Sequence, residues 1–419
     1  MTLSNVFSFP RPTKPPTQPL ILFPVSRRSV AGKIQDSVLS LGVKYALFLL
    51  LCGWSCPVRA QTRLPVIRAG SSVVDVNDGG YLERGSWNLS PDARPDVYRA
   101  SRSRKPKWVT FYTDLDSIRV RVVPGSKIDF VILLNGRDSC FTRIESSVPA
   151  TLPLLALPSV NDTLPFELTA QDAILVKALI NQTDTLRLHF DLGTLLFRIT
   201  PETLQKLKDL RLSRGGDPSA KLIRSIRMGR QIWDMPEVRV GQIAAQDMDG
   251  RFGWQAFDNR ILELDYDNRR LILHDRLPKK VEAYSKMEIR FVQSHFCAEA
   301  RLRAKGKTYK GTFLFDTGSN LAMALDSGWL AHQQFPPDLP LVKTLSFLDG
   351  AGNRYETRVV TVPEVQLGSD RVRDVPTSLL TSPGPLGFDV NYFGNAFLKR
   401  FNLVIDLQRD VLYVKRNGM

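Results

Sequence analysis

Residues 313–325 read FLFDTGSNLAMAL, a carboxylate and a glycine set between two apolar runs whose pattern is that of buried strands. A lone carboxylate among apolar neighbours costs free energy unless other groups hold it, so its presence asks for a reason. A second stretch has the same form. RLHFDLGTLLFRIT (187–200) aligns without a gap over TFLFDTGSNLAMAL (312–325), which sets Asp191-Leu192-Gly193-Thr194 over Asp316-Thr317-Gly318-Ser319. Further on, RFGWQAFDNRILELDYDNRRLIL (251–273) aligns over YFGNAFLKRFNLVIDLQRDVLYV (392–414), with Phe252-Gly253 over Phe393-Gly394 and Leu264-Asp265 over Ile405-Asp406. One D-x-G tripeptide is a weak signal. The same order of features twice marks a duplicated unit: strand, D-x-G turn, strand, variable stretch, then a hydrophobic-Gly pair and a short helix-like segment.

With FDTGS and YFGNAFL in its second half, and FDLGT and RFGWQAF in its first, the region from about 165 to 416 resembles aspartic peptidases of the pepsin and retropepsin type, in a bacterial single-chain form. The resemblance implies an all-β fold of two pseudo-symmetric lobes that bring Asp191 and Asp316 together in one cleft as a catalytic pair. Gly193, Thr194, Thr317, Gly318, Ser319, Gly253 and Gly394 would support the catalytic loops. The residue types suit the chemistry. Amide hydrolysis by water needs a base and an acid, and two carboxylates in one site can be both. That such a pair shares a proton is the general behaviour of aspartic proteases, carried over here rather than found in this chain.

Gly318, and Gly193 in the other copy, should let the chain turn without a Cβ clash. Thr194 and Ser319 should hydrogen-bond the carboxylates, favouring the ionised form and an acid to mildly acid optimum. A flap is expected in SFLDGAGNRYETRVVTV (346–362), with Gly350 and Gly352 at its tip, although an ordinary hairpin reads equally well. Leu192 breaks the pattern, standing where the family has Thr or Ser; of the crossed hydroxyl pair beneath the aspartates, only Thr317 can donate. Two alternatives to an active endopeptidase therefore stay open: an inactive peptidase-like module that binds peptides, and a homodimeric retropepsin-like enzyme using Asp316 alone.

The 419 residues allow two or three domains, and 43% apolar with 24% charged residues is a globular composition. The expected divisions are an N-terminal extension and signal peptide (1–60), a β-sandwich-like accessory module (61–155), a first lobe (156–283) and a second lobe (284–419). The module is read from short strand-like pieces such as KWVTFYT and DFVILLN between the turn signals Pro124-Gly125 and Asn135-Gly136. KYALFLLLCGWSCPVRAQT reads as a secretory signal cleaved near Ala60, so an exported protein is expected, with no integral membrane segment in the mature chain. The rival, a lipoprotein cleaved before Cys56, has Gly53 where the motif wants leucine. Residues 1–60 hold seven basic residues and one acidic, leaving 50 basic against 41 acidic over the remainder.

The densest basic run, YRASRSRKPKW (98–108), lacks a nucleic-acid motif and reads by default as a solvated loop. No nucleic-acid partner is expected; the expected partner is a protein or peptide substrate. Absence of CxxC and HExxH, with four scattered histidines, argues against a zinc centre, and no metal or organic cofactor is called for. Each histidine reads as a surface or packing residue. Trp233 reads as a core residue before a pocket residue, and Cys140 and Cys297 are left open as a pair.

Overall fold

The computed structural model describes residues 64–148, 161–207, 223–236, 238–241, 248–348, 354–381 and 390–419. The expected signal segment with Cys56 and Ala60 lies outside these, as does the flap tip with Gly350 and Gly352. Pro65–Met419 fall in one compact unit, and its regular structure is overwhelmingly β.

Its first part is a sandwich of two four-stranded sheets, one with the strands Val66–Ala69, Asp96–Ala100, Lys127–Leu134 and Asp138–Ser146, the other with Val73–Asp78, Tyr81–Asn88, Lys107–Tyr112 and Ser117–Val122. Alternation drives this layering: Val74, Val76, Val109 and Phe111 point inward from one sheet, Phe130, Ile132 and Ile144 from the other. The rings of Phe111 and Phe130 meet edge to face at 5.5 Å across the gap. Asn135 and Gly136 both take positive φ (52° and 69°), the two-residue turn whose twist suits a hairpin.

The duplicated units follow. In the first, Asp184–Phe190 runs parallel to Gly250–Phe252, with Phe190 opposite Phe252; in the second, Lys307–Asp316 runs parallel to Asn391–Gly394, with Phe315 opposite Phe393. The aligned residues of the two copies thus make the same contact. A six-stranded sheet joins the units, and at its centre Ile261–Asp265 pairs antiparallel with Phe401–Asp406. Exchanging the copies turns the pair Leu262–Ile405 into Leu264–Leu403, which is also present, and returns Glu263–Val404 to itself. A pseudo-twofold axis therefore passes through the Glu263–Val404 pair, as a self-complementary interface requires. Glu263 is fully buried there and held by His274 at 2.8 Å and by Lys280. Leu341–Leu348 and Arg354–Leu367 form an antiparallel hairpin where the flap is expected.

One reading needs correction. The basic run at 98–108 is not a solvated loop: Arg102 is buried, ion-paired to Asp258 at 2.6 Å and Asp410 at 3.0 Å, donating to the Leu407 carbonyl at 2.7 Å, and lying over the rings of Trp254 and Phe291. Arg104 reaches the same carbonyl and Asn259. Charge density in sequence says nothing about which surface a loop is pressed against, and here it fastens the sandwich to the duplicated region. Cys140 and Cys297, left open as a pair by the sequence, form no disulfide with each other, each being buried in a separate hydrophobic cluster. Trp233 is half-buried, packing against the core at Phe197 and Phe257 and donating to the Ala256 carbonyl at 2.9 Å.

Candidate active site

Each aspartate is delivered by a strand whose preceding phenylalanine, Phe190 or Phe315, is fully buried in the core. Beyond the strand the loop folds against the hydrophobic-Gly pair of the same unit. A Cβ on Gly253 would lie 1.6 Å from the Thr194 carbonyl oxygen, and one on Gly394 would lie 2.1 Å from that of Leu321. No other residue fits either position. Asp191 N–H donates to the Phe252 carbonyl at 2.9 Å, which ties the loop to the paired strand.

The two carboxylates meet. The backbone N–H of Gly318 lies 3.1 Å from Oδ1 of Asp316 and 3.1 Å from Oδ1 of Asp191. Gly193 N–H donates to Asp191 Oδ1 at 2.8 Å. A Cβ on Gly318 would fall 2.5 Å from Asp191 Oδ2, and one on Gly193 would stand 3.2 Å from oxygens of both aspartates. Neither glycine has positive φ. The expectation of a turn requirement is thus replaced by one of space, since the opposing carboxylate occupies the room a side chain would take.

The hydroxyls are not symmetric. Thr194 Oγ1 donates to Asp191 Oδ2 at 2.9 Å as expected. Ser319 does not do the same for Asp316: its hydroxyl accepts from Leu321 N–H at 3.3 Å, and only its backbone N–H favours the ionised carboxylate. Beneath the pair, Thr317 Oγ1 accepts from Leu192 N–H at 2.9 Å and donates to the Phe190 carbonyl at 3.1 Å. The other half of the crossing is apolar, with Leu192 fully buried in the core.

Sequence reasoning missed three basic residues here. Arg251 ion-pairs Asp191 Oδ2 at 3.0 Å. His189, buried beside it, makes a 3.1 Å bond to the Thr317 carbonyl; because a carbonyl only accepts, Nε2 carries the proton. His295, also largely buried, interacts with the Gly193 backbone. The signal for Arg251 was its place next to Phe252-Gly253, where the second copy has Tyr392. Among the described residues no cluster suited to a metal ion occurs.

These neighbours push the two carboxyls apart. Burial pulls Asp191 upward, but the Arg251 charge, the Gly193 N–H and the Thr194 hydroxyl together hold it below the usual carboxylate range. Burial and the neighbouring Asp191 charge push Asp316 up to about 7. Asp316 keeps a partly exposed edge, so water there tempers the desolvation. Burial lowers His189 to about 4, leaving it neutral.

Replacing His189 with Leu should destabilise the fold by about 1–3 kcal/mol, because the buried Thr317 carbonyl loses its donor. Chemical denaturation of the two proteins checks this, and equal midpoints would mean the bond contributes nothing.

No protein-family model matches the chain, and no curated protein matches it. Among solved structures it is similar to an aspartic proteinase from Irpex lacteus, with a TM-score of 0.41 and 11% identity, over 62% of this chain and 98% of that one.

Proposed function

We propose that the chain is an aspartic endopeptidase, hydrolysing peptide bonds with a water molecule activated between Asp191 and Asp316. The observation that carries this reading is the single Gly318 N–H lying 3.1 Å from an oxygen of each carboxylate within one chain. It favours a single-chain enzyme over a homodimer using Asp316 alone. The charges then divide the labour. Asp191, paired with Arg251, is the ionised partner that takes a proton from water; Asp316 carries the proton given to the scissile carbonyl. The strands behind both loops fix them rigidly, and the paired strands Leu341–Leu348 and Arg354–Leu367 would carry the flap that covers the substrate.

The test is cleavage of a denatured protein, inhibited by pepstatin and lost in both Asp191→Asn and Asp316→Asn. Loss from Asp316→Asn alone, with a dimer in solution, would favour the homodimer. The inactive-module reading draws on a specific observation, the arginine neutralising Asp191. Saturable peptide binding without cleavage would establish it.

The same arginine sets the pH range. The singly protonated pair should persist from below the ordinary aspartate value of 3.8 up to about 7, so activity should extend to near-neutral pH rather than being confined to acid. Arg251→Met removes the charge that keeps Asp191 ionised, and the acidic limb of kcat/KM should move up by about one to three pH units. An unmoved limb would show that Asp191 does not titrate in the cycle.

A further inference from the structure

The strands around Asp191 set four basic side chains in one row. His189 lies opposite Arg251, Arg251 opposite Arg198, and Arg198 opposite Arg239, across four adjacent strands. Directly paired residues share a face of the sheet, so the three arginines stand side by side. The opposite face, carrying Phe190, Phe252 and Ile199, is packed into the core. Exposure rises along the row: His189 is buried, Arg251 and Arg198 are partly buried, and Arg239 is exposed.

Like charges in adjacent cross-strand positions destabilise a sheet, and so need a counter-ion or a purpose. Only part of the row is answered from within. Arg251 spends one nitrogen on Asp191, while its Nε is buried without a hydrogen-bond partner among the described residues. Arg198 has no ion pair or side-chain hydrogen bond among the described residues; the charges of Arg251 and Arg239 bear on it, and the pull of Asp191 offsets them only in part. With Asp316 holding a proton, Asp191 is the ionised carboxylate of the pair, and Arg251 is ion-paired to it.

We infer that this row is a substrate subsite for a carboxylate, selecting peptides with a glutamate or aspartate side chain next to the bond held at Asp191 and Asp316. Arg198, partly exposed and without an ion pair among the described residues, supplies the charge. The inference rests on the peptidase reading for the word substrate, but not for the binding itself. A free C-terminal carboxylate has the same chemistry, and amidated peptides separate the two sources.

The experiment uses the full chain carrying Asp316→Asn, which keeps the row intact. Binding of C-terminally amidated peptides differing only in Glu or Gln at one central position is measured by calorimetry, scanning that position along the peptide. At one position the Glu peptide should bind about 10–100-fold tighter, in keeping with a charge-assisted hydrogen bond. Adding Arg198→Met should bring that ratio to about one, and Arg198→Lys should restore part of it. Arg198→Met relieves repulsion between neighbours, so its melting temperature should not fall. In the native chain the same Glu/Gln pair is compared by kcat/KM. Charge-selective binding without cleavage by the native chain leaves the subsite standing and overturns the peptidase. Cleavage with equal rates for Glu and Gln overturns the subsite, as does binding without charge preference, no binding at all, or selectivity seen only with a free C-terminus.

Discussion

Asp316→Asn is expected to cut turnover by about 10²–10⁴-fold, the usual share of a general acid, and yet to melt at a higher temperature than the native chain at pH 8. The first effect follows from Asp316 holding the proton that the substrate carbonyl receives. The second follows from linkage. In the unfolded chain Asp316 titrates near 3.8, and in the folded chain burial and Asp191 raise that to about 7. Stability contributed by this group is therefore fully present below pH 3.8 and is lost as pH rises through 7. Above that, the native fold must accommodate two negative charges that share one N–H. Asparagine has nearly the same shape and never ionises. Melting curves at pH 4 and pH 8 check it: the variant's advantage should appear at the higher pH and shrink at the lower. An advantage of the same size at both would mean the carboxyl does not titrate differently in the fold, and unaltered turnover would remove Asp316 from the chemistry.

Arg102→Met should destabilise the fold by about 3–5 kcal/mol, the cost of removing one partner from a buried ion cluster. The substitution keeps apolar bulk against Trp254 and Phe291 but leaves Asp258 and the buried Asp410 facing each other, with Arg104 as the remaining cation near Asp410 at 3.4 Å. Because Arg102 joins the sandwich to the duplicated region, the loss should show as separation into two unfolding transitions in urea. Burial raises Asp410, so mild acid should recover part of the loss by protonating it. A single transition at the native midpoint would show that the sandwich is held by other contacts.

Much of this was legible in the chain because it is local and repeated. The apolar runs around Asp191 and Asp316 specify strands, and the gapless alignment of the copies implies equivalent loops. Asn135-Gly136 announced its hairpin because a two-residue turn with positive φ is written in those two residues. Arg251, Arg198 and His189 were not legible in the same way. Arg251 lies more than fifty residues beyond the other two, and the three become neighbours only through strand register. The sequence could show that Leu192 lacks a hydroxyl, but not that His189 would reach the neighbouring carbonyl of Thr317. Nor could it show that Ser319 would turn its hydroxyl to its own loop.

The sequence by itself thus determined an all-β chain with two copies of one strand-turn-strand unit, each bearing an aspartate, since periodicity and glycine placement act over a few residues. Only the tertiary structure decided that the aspartates share a donor and that one is held ionised by an arginine while the other is driven toward its protonated form. It also decided that a basic loop is a buried clasp. Burial and electrostatic environment are set by residues distant in the chain, and no local pattern records them.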